Sequence, residues 1–263
     1  MVEISSSYNL VWMSPRFYKS GQEEIRQPVQ NATMDNISNI AKKNADTEVK
    51  FWTDSLRMAP SQLNWLEESF KQCPTHNLGL HDLRSIEAFN AEPFYSQEDT
   101  FANWRCHKDS LIWRQVDSVR ILAILQGNYT QTFYSDTDIT NLVISSPEVQ
   151  KPMKKYGLVI GGGGAEGGCS AWYENQLFGF DSRQRPFFRA LYQKTLQRAI
   201  HEKRNGYGVF VDSIKKELNP SLSPRGRNGF LFRAKFDKTE ASHPGKEYLL
   251  NEVLFPTVLT SGK

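Results

Sequence analysis

Short aromatic and β-branched runs alternate along this chain with longer polar stretches whose apolar residues recur at helical spacing. "YNLVWM" at 8–13 is the first such run, closed by Pro15, and "EVKFWTD" at 48–54 is a second of the same type. Residues 20–45 between them are polar, with a helix predicted around "MDNISNIAKKN". Strand, helix, strand is the pattern of an α/β unit, in which a crossover helix covers the strands it connects.

After Pro60 a helix is predicted with Leu63, Leu66 and Phe70 on one stripe, ending near Pro74. The segment 75–108 has no clean period, and its aromatics Phe89, Phe94, Tyr95, Phe101 and Trp104 lie among acidic and amide residues. It reads as a helical excursion or long loops fastened over a sheet. "DSLIWRQVDSVRILAIL" at 109–125 is a helix, with Ile112, Val116, Val119 and Ala123 at helical spacing. Asp109 or Ser110 can cap its start and Gly127 can end it. Asp117 and Arg120 are three apart, as in an ordinary surface pair.

Strand formers return from Tyr129 to Tyr134, which places "SDTD" at or just past a strand's carboxyl end, where open α/β sheets put ligand sites. "YGLVI" at 156–160 is another strand, running into "GGGGAEGG". A helix is predicted from Pro186 to Arg204, with Gly206 just beyond it. "FLFRAKF" at 230–236 and the Leu/Val-rich run 248–258 are two further strand candidates. No internal repeat or long low-complexity linker interrupts the chain.

Composition changes this picture little. At 263 residues the chain can bury one substantial core. The net charge of +3, from 32 Lys and Arg against 29 Asp and Glu, gives no basis for expecting nucleic acid as a partner. Cys73, Cys106 and Cys169 have neither disulfide density nor metal-ligand spacing and read as reduced thiols. "MVEISSSYNL" carries no leader-like apolar stretch and no run is long enough to cross a bilayer, so synthesis in the cytoplasm is expected.

The chemistry concentrates at Asp136 and Asp138. In an extended strand, residues two apart point the same way, so the pair offers hard oxygen ligands to Mn²⁺ or Mg²⁺. Two carboxylates cannot complete an octahedral shell, and the phosphates of a diphosphate-bearing substrate are natural additional ligands. The glycine run Gly161–Gly168 contains G-x-G-x-x-G at Gly162, Gly164 and Gly167, with Asp181 downstream, which keeps a dinucleotide site as a rival reading. Against that reading, "CSAWYENQ" follows in place of an amphipathic helix, and a mobile or tightly turned loop beside the ligand is the simpler expectation. The five histidines form no zinc spacing, although His243 or Glu252 can be imagined completing a metal shell from the tail. "KPMKK" at 151–155 and "HEKR" at 201–204 are basic patches, solvated faces in most proteins and contacts to anionic membranes or acidic acceptors in some.

Taken in order, Asp117, Arg120, Gly127, Tyr134, Asp136 and Asp138 resemble the sugar-binding region of DXD-containing glycosyltransferases. That group includes the large clostridial glucosylating toxins and capping hexosyltransferases. "LVWMS" with Trp12 and "VKFWTD" at 49–54 are similar to the family's first two strands, so the match spans roughly the first 140 residues. The resemblance implies a GT-A-type, Rossmann-like α/β fold with a central mixed sheet and helical excursions. It implies one catalytic domain over 1–263, more helical at 55–125, with the metal and acceptor side at 126–263. Trp12 would stack on the donor's base. Asp117 and Arg120 would hold donor sugar hydroxyls, Arg120 also facing the diphosphate. Asp136 would hold ribose and sugar hydroxyls and reach the ion through water, and Asp138 would bind the ion directly. "YENQLFGFDSRQRPFFRAL" is similar in kind to the family's following segment, which makes Glu174 and Asn175 candidates for the sugar or acceptor side.

The implied reaction is metal-dependent transfer of a hexose from a UDP- or GDP-linked sugar to a protein or glycan acceptor, with retention of configuration. A toxin-like effector delivered to a host cell without a cleaved leader is the corresponding expectation for location, with peripheral membrane contact at most. The sequence departs from the family in placing Gly127 and Asn128 where paired glycines stand, and in a longer turn between Arg120 and Asp136. That departure leaves a second class open: a catalytically inactive module that binds a nucleotide sugar or a protein.

Overall fold

The computed structural model describes residues 6–14, 16–18, 25–26, 29–100, 110–137, 139, 142–164, 171–203, 206, 208–210 and 212–213. In chain order these form β1 (Ser6–Trp12), β2 (Arg16–Tyr18), β3 (Ile25–Arg26), α1 (Asn31–Lys43), β4 (Glu48–Thr53), α2 (Pro60–Lys71), β5 (Leu78–Asp82), α3 (Glu87–Ala91) and β6 (Asp99–Thr100). There follow α4 (Leu111–Ile124), β7 (Gln131–Ser135), α5 (Pro147–Tyr156), β8 (Leu158–Gly164), β9 (Ala171–Asp181) and α6 (Arg185–Gln197), extended by a π-turn at Arg198–Glu202.

Six strands make one mixed sheet in the order β5-β4-β1-β7-β9-β8. Strands β5, β4, β1 and β7 are parallel, and β9 runs antiparallel to both of its neighbours. The carboxyl ends of the parallel strands therefore share one edge with the beginning of β9. A small three-stranded sheet, β3-β2-β6, lies apart from the main one.

Alternation along the strands sends apolar side chains to both faces, as a sheet covered on both sides requires. On one face Leu10, Phe51 and Phe133 pack with Ile37 of α1, Leu66 of α2 and Met153 of α5. On the other, Trp52, Tyr134 and Phe178 pack with Val119 of α4 and with Phe188 and Leu191 of α6. Phe188 stacks on Phe180 at 4.2 Å between ring centroids and on Phe178 at 5.7 Å, fixing α6 to β9. Pro147 starts α5 and Gly157, at φ 69°, ends it, donating its N–H to the carbonyl of Met153 at 2.8 Å.

Three expectations change. Leu78–Asp82, inside the segment read as an irregular excursion, is an edge strand whose residues are all half-buried. Its short length and the absence of a buried apolar face left no alternation to see. The glycine run is no loop through Gly164: Gly162, Gly163 and Gly164 pair with Tyr173, Trp172 and Ala171 in an antiparallel ladder. A dinucleotide fingerprint needs its glycines to turn from a strand into a helix; here Gly162 and Gly164 lie within a strand, and Gly167 lies outside the described residues. Asp117 and Arg120 are not a surface pair but buried, 8% and 4% exposed. Asp109, Phe101, Trp104, Cys106, Cys169, the tail strand candidates, His243 and Glu252 lie outside the described residues. Cys73 is a free thiol.

Candidate functional site

The site is assembled where β7 ends. In the parallel register Leu10 of β1 faces Ser135, so Trp12 and Asp136 both stand at the carboxyl edge of the sheet. The backbone N–H of Asp136 donates to the carbonyl of Gln176 at 2.8 Å, tying the end of β7 to the first half of β9. Beneath it the Tyr8 hydroxyl and Ser135 Oγ share a hydrogen bond of 2.6 Å. Burial, with a smaller push from Asp136, raises the Tyr8 pKa beyond its ordinary range, so this phenol stays neutral under Asp136.

Helix α4 supplies the charged partner. Eleven of its fourteen residues are buried, from Leu111 to Ile124, which puts a carboxylate and a guanidinium in the interior. Such groups need partners there. Arg120 Nη1 donates to the carbonyl of Asn175 at 2.9 Å. Its Nη2 lies 3.6 Å from Asp136 Oδ1 and 3.8 Å from Asp117 Oδ1, ion-pair distances longer than a hydrogen bond. The guanidinium also stands 5.3 Å from the centre of the Tyr134 ring, and the Tyr134 hydroxyl donates to Asp136 Oδ1.

Asp117 is committed to structure on both oxygens. Oδ1 accepts from Asn175 Nδ2 at 2.8 Å, and Oδ2 accepts from the backbone N–H of Gly206 at 2.7 Å. It thus joins α4 to β9 and to the segment after α6. A side chain at 206 does not fit: its Cβ would lie 2.3 Å from Thr195 Cγ2 and 2.9 Å from Asp117 Cβ. Gly206→Ala is expected to cost about 1–3 kcal/mol through this overpacking. Thermal denaturation checks it, and an unchanged midpoint would show that the segment simply moves aside.

Asp117, Arg120, Asp136 and Asn175 are therefore brought together, with Tyr134 as an added member. Tyr134 was legible as part of the strand; its grip on Asp136 follows from the period-2 spacing that puts both on one face. Trp12 reaches the same edge from the other face, since it alternates with Tyr8 and Leu10 and packs against the α1 side. Its indole N–H is buried with no acceptor among the described residues. Glu174 precedes Asn175 in β9, and Asp138 lies outside the described residues. Gly127, at φ 76°, and Asn128 sit between α4 and the start of β7, at the edge opposite Asp136.

For a divalent ion, the donor set has the right chemistry and is incomplete. Asp136, its side chain 23% exposed, presents a carboxylate at the edge. Among the described residues no three His, Cys, Asp or Glu side chains gather as a metal site. One or two carboxylates completed by substrate phosphates and water is how Mg²⁺ is commonly held in phosphate-handling sites.

No protein-family model matches the sequence, and no curated protein matches it either. Solved structures do match the fold. One, described as the PaToxG glycosyltransferase, superposes with a TM-score of 0.55 at 15% identity, covering 85% of this chain and 73% of that one. Another, described only as a transferase, gives 0.52 at 11% identity, covering 83% and 86%.

The fold is GT-A-like.

Open α/β sheets put their ligands at the carboxyl edge of the parallel strands. Here that edge carries Trp12, Asp136 and Asn175, with Arg120 of α4 behind them. No helix among the described residues is long and apolar enough to cross a membrane.

Proposed function

We propose that this chain transfers a hexose from a UDP- or GDP-linked sugar to a protein or glycan acceptor, with Mn²⁺ or Mg²⁺ and with retention of configuration. The observation that carries this reading is the meeting of Asp117, Arg120, Asp136 and Asn175 at the carboxyl edge of a GT-A-like sheet. Asp136 and Asp138 would hold the ion, which supplies charge stabilisation to the departing nucleoside diphosphate.

The chain's own residues do the rest. Arg120 holds a positive charge between two carboxylates at the edge, fixed by the Asn175 carbonyl, and is preorganised to face developing negative charge on the diphosphate. Asp117 orients the Asn175 amide, whose remaining hydrogen-bonding capacity suits a sugar hydroxyl. The acceptor-free N–H of Trp12 is completed by a carbonyl or phosphate oxygen of the donor, with the ring lying against the base. The resemblance to glucosylating toxins extends the proposal to a protein acceptor and to action inside a host cell.

The test is nucleotide release by the purified protein from a panel of UDP- and GDP-sugars, with and without Mn²⁺. The expected result is release of UDP or GDP from one donor, dependent on the ion. No release from any donor, with cell extract present as acceptor, would overturn the enzyme reading. Donor affinity without turnover would identify a binding module instead.

A further inference from the structure

The edge of the sheet opposite the candidate site carries most of an exposed basic rim. Lys151, Lys154 and Lys155 are exposed on α5, which runs down to the start of β8. Gln150 pairs with Gln131 at the beginning of β7, placing this helix at the amino edge of the parallel strands. Arg183, just past β9, reaches back to the carbonyls of Met153 and Lys154 at 2.8 and 3.0 Å. Gln184 donates to the carbonyl of Tyr156 at 3.0 Å, which brings Arg185 and Arg189 of α6 to the same side. Burial, with a smaller push from the Arg189 charge, lowers the Arg185 pKa.

Five exposed cations, Lys151, Lys154, Lys155, Arg183 and Arg189, are thus gathered on this rim, beside half-buried Arg185, which donates to the carbonyl of Leu125 at 3.1 Å. Asp181 is already held by Arg183 at 2.6 Å, and Glu148 is in the first turn of α5. Among the described residues no carboxylate pairs with Lys151, Lys154 or Lys155. Lysines at i, i+3 and i+4 repel one another and weaken their own helix slightly. They also line a shallow groove of about 630 Å³ with Ser145, Pro147 and Gln150.

We propose that this rim docks the protein on an anionic lipid bilayer. Charge complementarity selects the occupant. A cluster of four or more basic residues is attracted to acidic headgroups without needing a shaped pocket. A protein partner would need large aromatic or aliphatic anchors at the centre of its interface, and among the described residues the exposed large apolar ones, Leu56, Trp65 and Trp113, stand elsewhere. Single-stranded nucleic acid would need an open aromatic platform, and the half-buried ring of Tyr156 on this rim is covered by Lys155, whose Nζ stands 4.8 Å from its centre. Docked in this way, the carboxyl edge of the sheet faces away from the lipid and stays open.

The experiment is co-sedimentation of the whole protein with vesicles of phosphatidylcholine alone or with one third phosphatidylserine, at low and at physiological salt. Binding is expected only to the phosphatidylserine vesicles and to weaken with salt. Each basic residue near such a surface strengthens partition roughly fivefold. Lys151→Gln/Lys154→Gln/Lys155→Gln is therefore expected to lose about a hundredfold, and the triple Lys→Glu variant, which reverses the three charges, more. Unchanged circular dichroism confirms that the variants fold. Equal partition to neutral vesicles, or an unchanged triple Lys→Gln variant, would overturn the proposal. So would tighter binding to a DNA duplex than to phosphatidylserine vesicles at the same salt. Nucleotide release by the folded variants without vesicles is expected at the wild-type rate, because these lysines lie at the opposite edge from Asp136.

Discussion

Asp136→Asn is expected to lower metal-dependent release of nucleoside diphosphate by about a hundredfold to a thousandfold, while the protein stays folded. The substitution keeps the shape of the side chain and an oxygen that accepts from the Tyr134 hydroxyl. It removes the charge that a divalent ion needs and that Arg120 faces at 3.6 Å. Removing one preorganised group that acts on developing charge commonly costs that much in rate.

Stability should change far less. Asp117 remains beside Arg120, the Asn175 carbonyl still accepts from Nη1, and the backbone bond from residue 136 to Gln176 is untouched. The two readouts are turnover at saturating donor and the thermal midpoint. A variant that turns over at the wild-type rate would remove Asp136 from the machinery. A variant that fails to fold would show that the carboxylate serves the sheet edge more than the chemistry.

How much of this was legible depends on whether the signal was local. Strands β1, β4 and β7 are aromatic and β-branched runs bounded by turn residues, so they could be read directly. Helices α2 and α4 have periodic apolar residues, and their ends fell close to where caps and breakers placed them. Strand β5 was hidden because an edge strand with half-buried residues and a glycine has no alternation to show. Glycines 161–164 carry no side-chain pattern, so their pairing with β9 is visible only once the partner strand is in place.

The site shows the same divide. Asp117, Arg120 and Asp136 were singled out by a resemblance to a family's ordered motif, but the burial of Asp117 and Arg120 was not legible. Spacing on a helix shows that residues 117 and 120 are neighbours; it does not show that α4 is enclosed on nearly every side. Enclosure depends on α6 and on the turn at Gly206, both distant in sequence. The amide of Asn175 and the backbone N–H of Gly206 are ordinary groups that become ligands of Asp117 only in the folded chain.

Nothing in the sequence pointed to Asp54 beyond its place at the end of a strand, yet the largest loss of stability is expected there. Asp54→Ala should destabilise the protein by about 3–5 kcal/mol. The carboxylate is fully buried just past β4. It accepts from Arg57 Nε at 3.1 Å, from Arg84 Nε and Nη2 at 2.8 Å each, and from the backbone N–H of Leu56 at 3.2 Å. Arg57, 2% exposed, also binds the carbonyls of Tyr95 and Gln97 and, at 2.9 Å, Gln115 of α4. Removing the acid takes from a buried guanidinium the carboxylate that its Nε holds at 3.1 Å. Arg84 is the control, because its side chain is 14% exposed and Asp54 would keep Arg57 after its loss. Arg84→Ala should therefore cost less than Asp54→Ala. Urea unfolding measures both, with a lower midpoint at unchanged slope as the expected signature. A loss below about 1 kcal/mol for Asp54→Ala would mean that the interior relaxes around Arg57 or lets water reach it. Gln115 stands two residues before Asp117, so this strut also sets where α4 presents Asp117 and Arg120 to the sheet edge. At a temperature where Asp54→Ala is still folded, nucleotide release should then fall through misplacement of α4 even though residue 54 touches none of the four converging side chains.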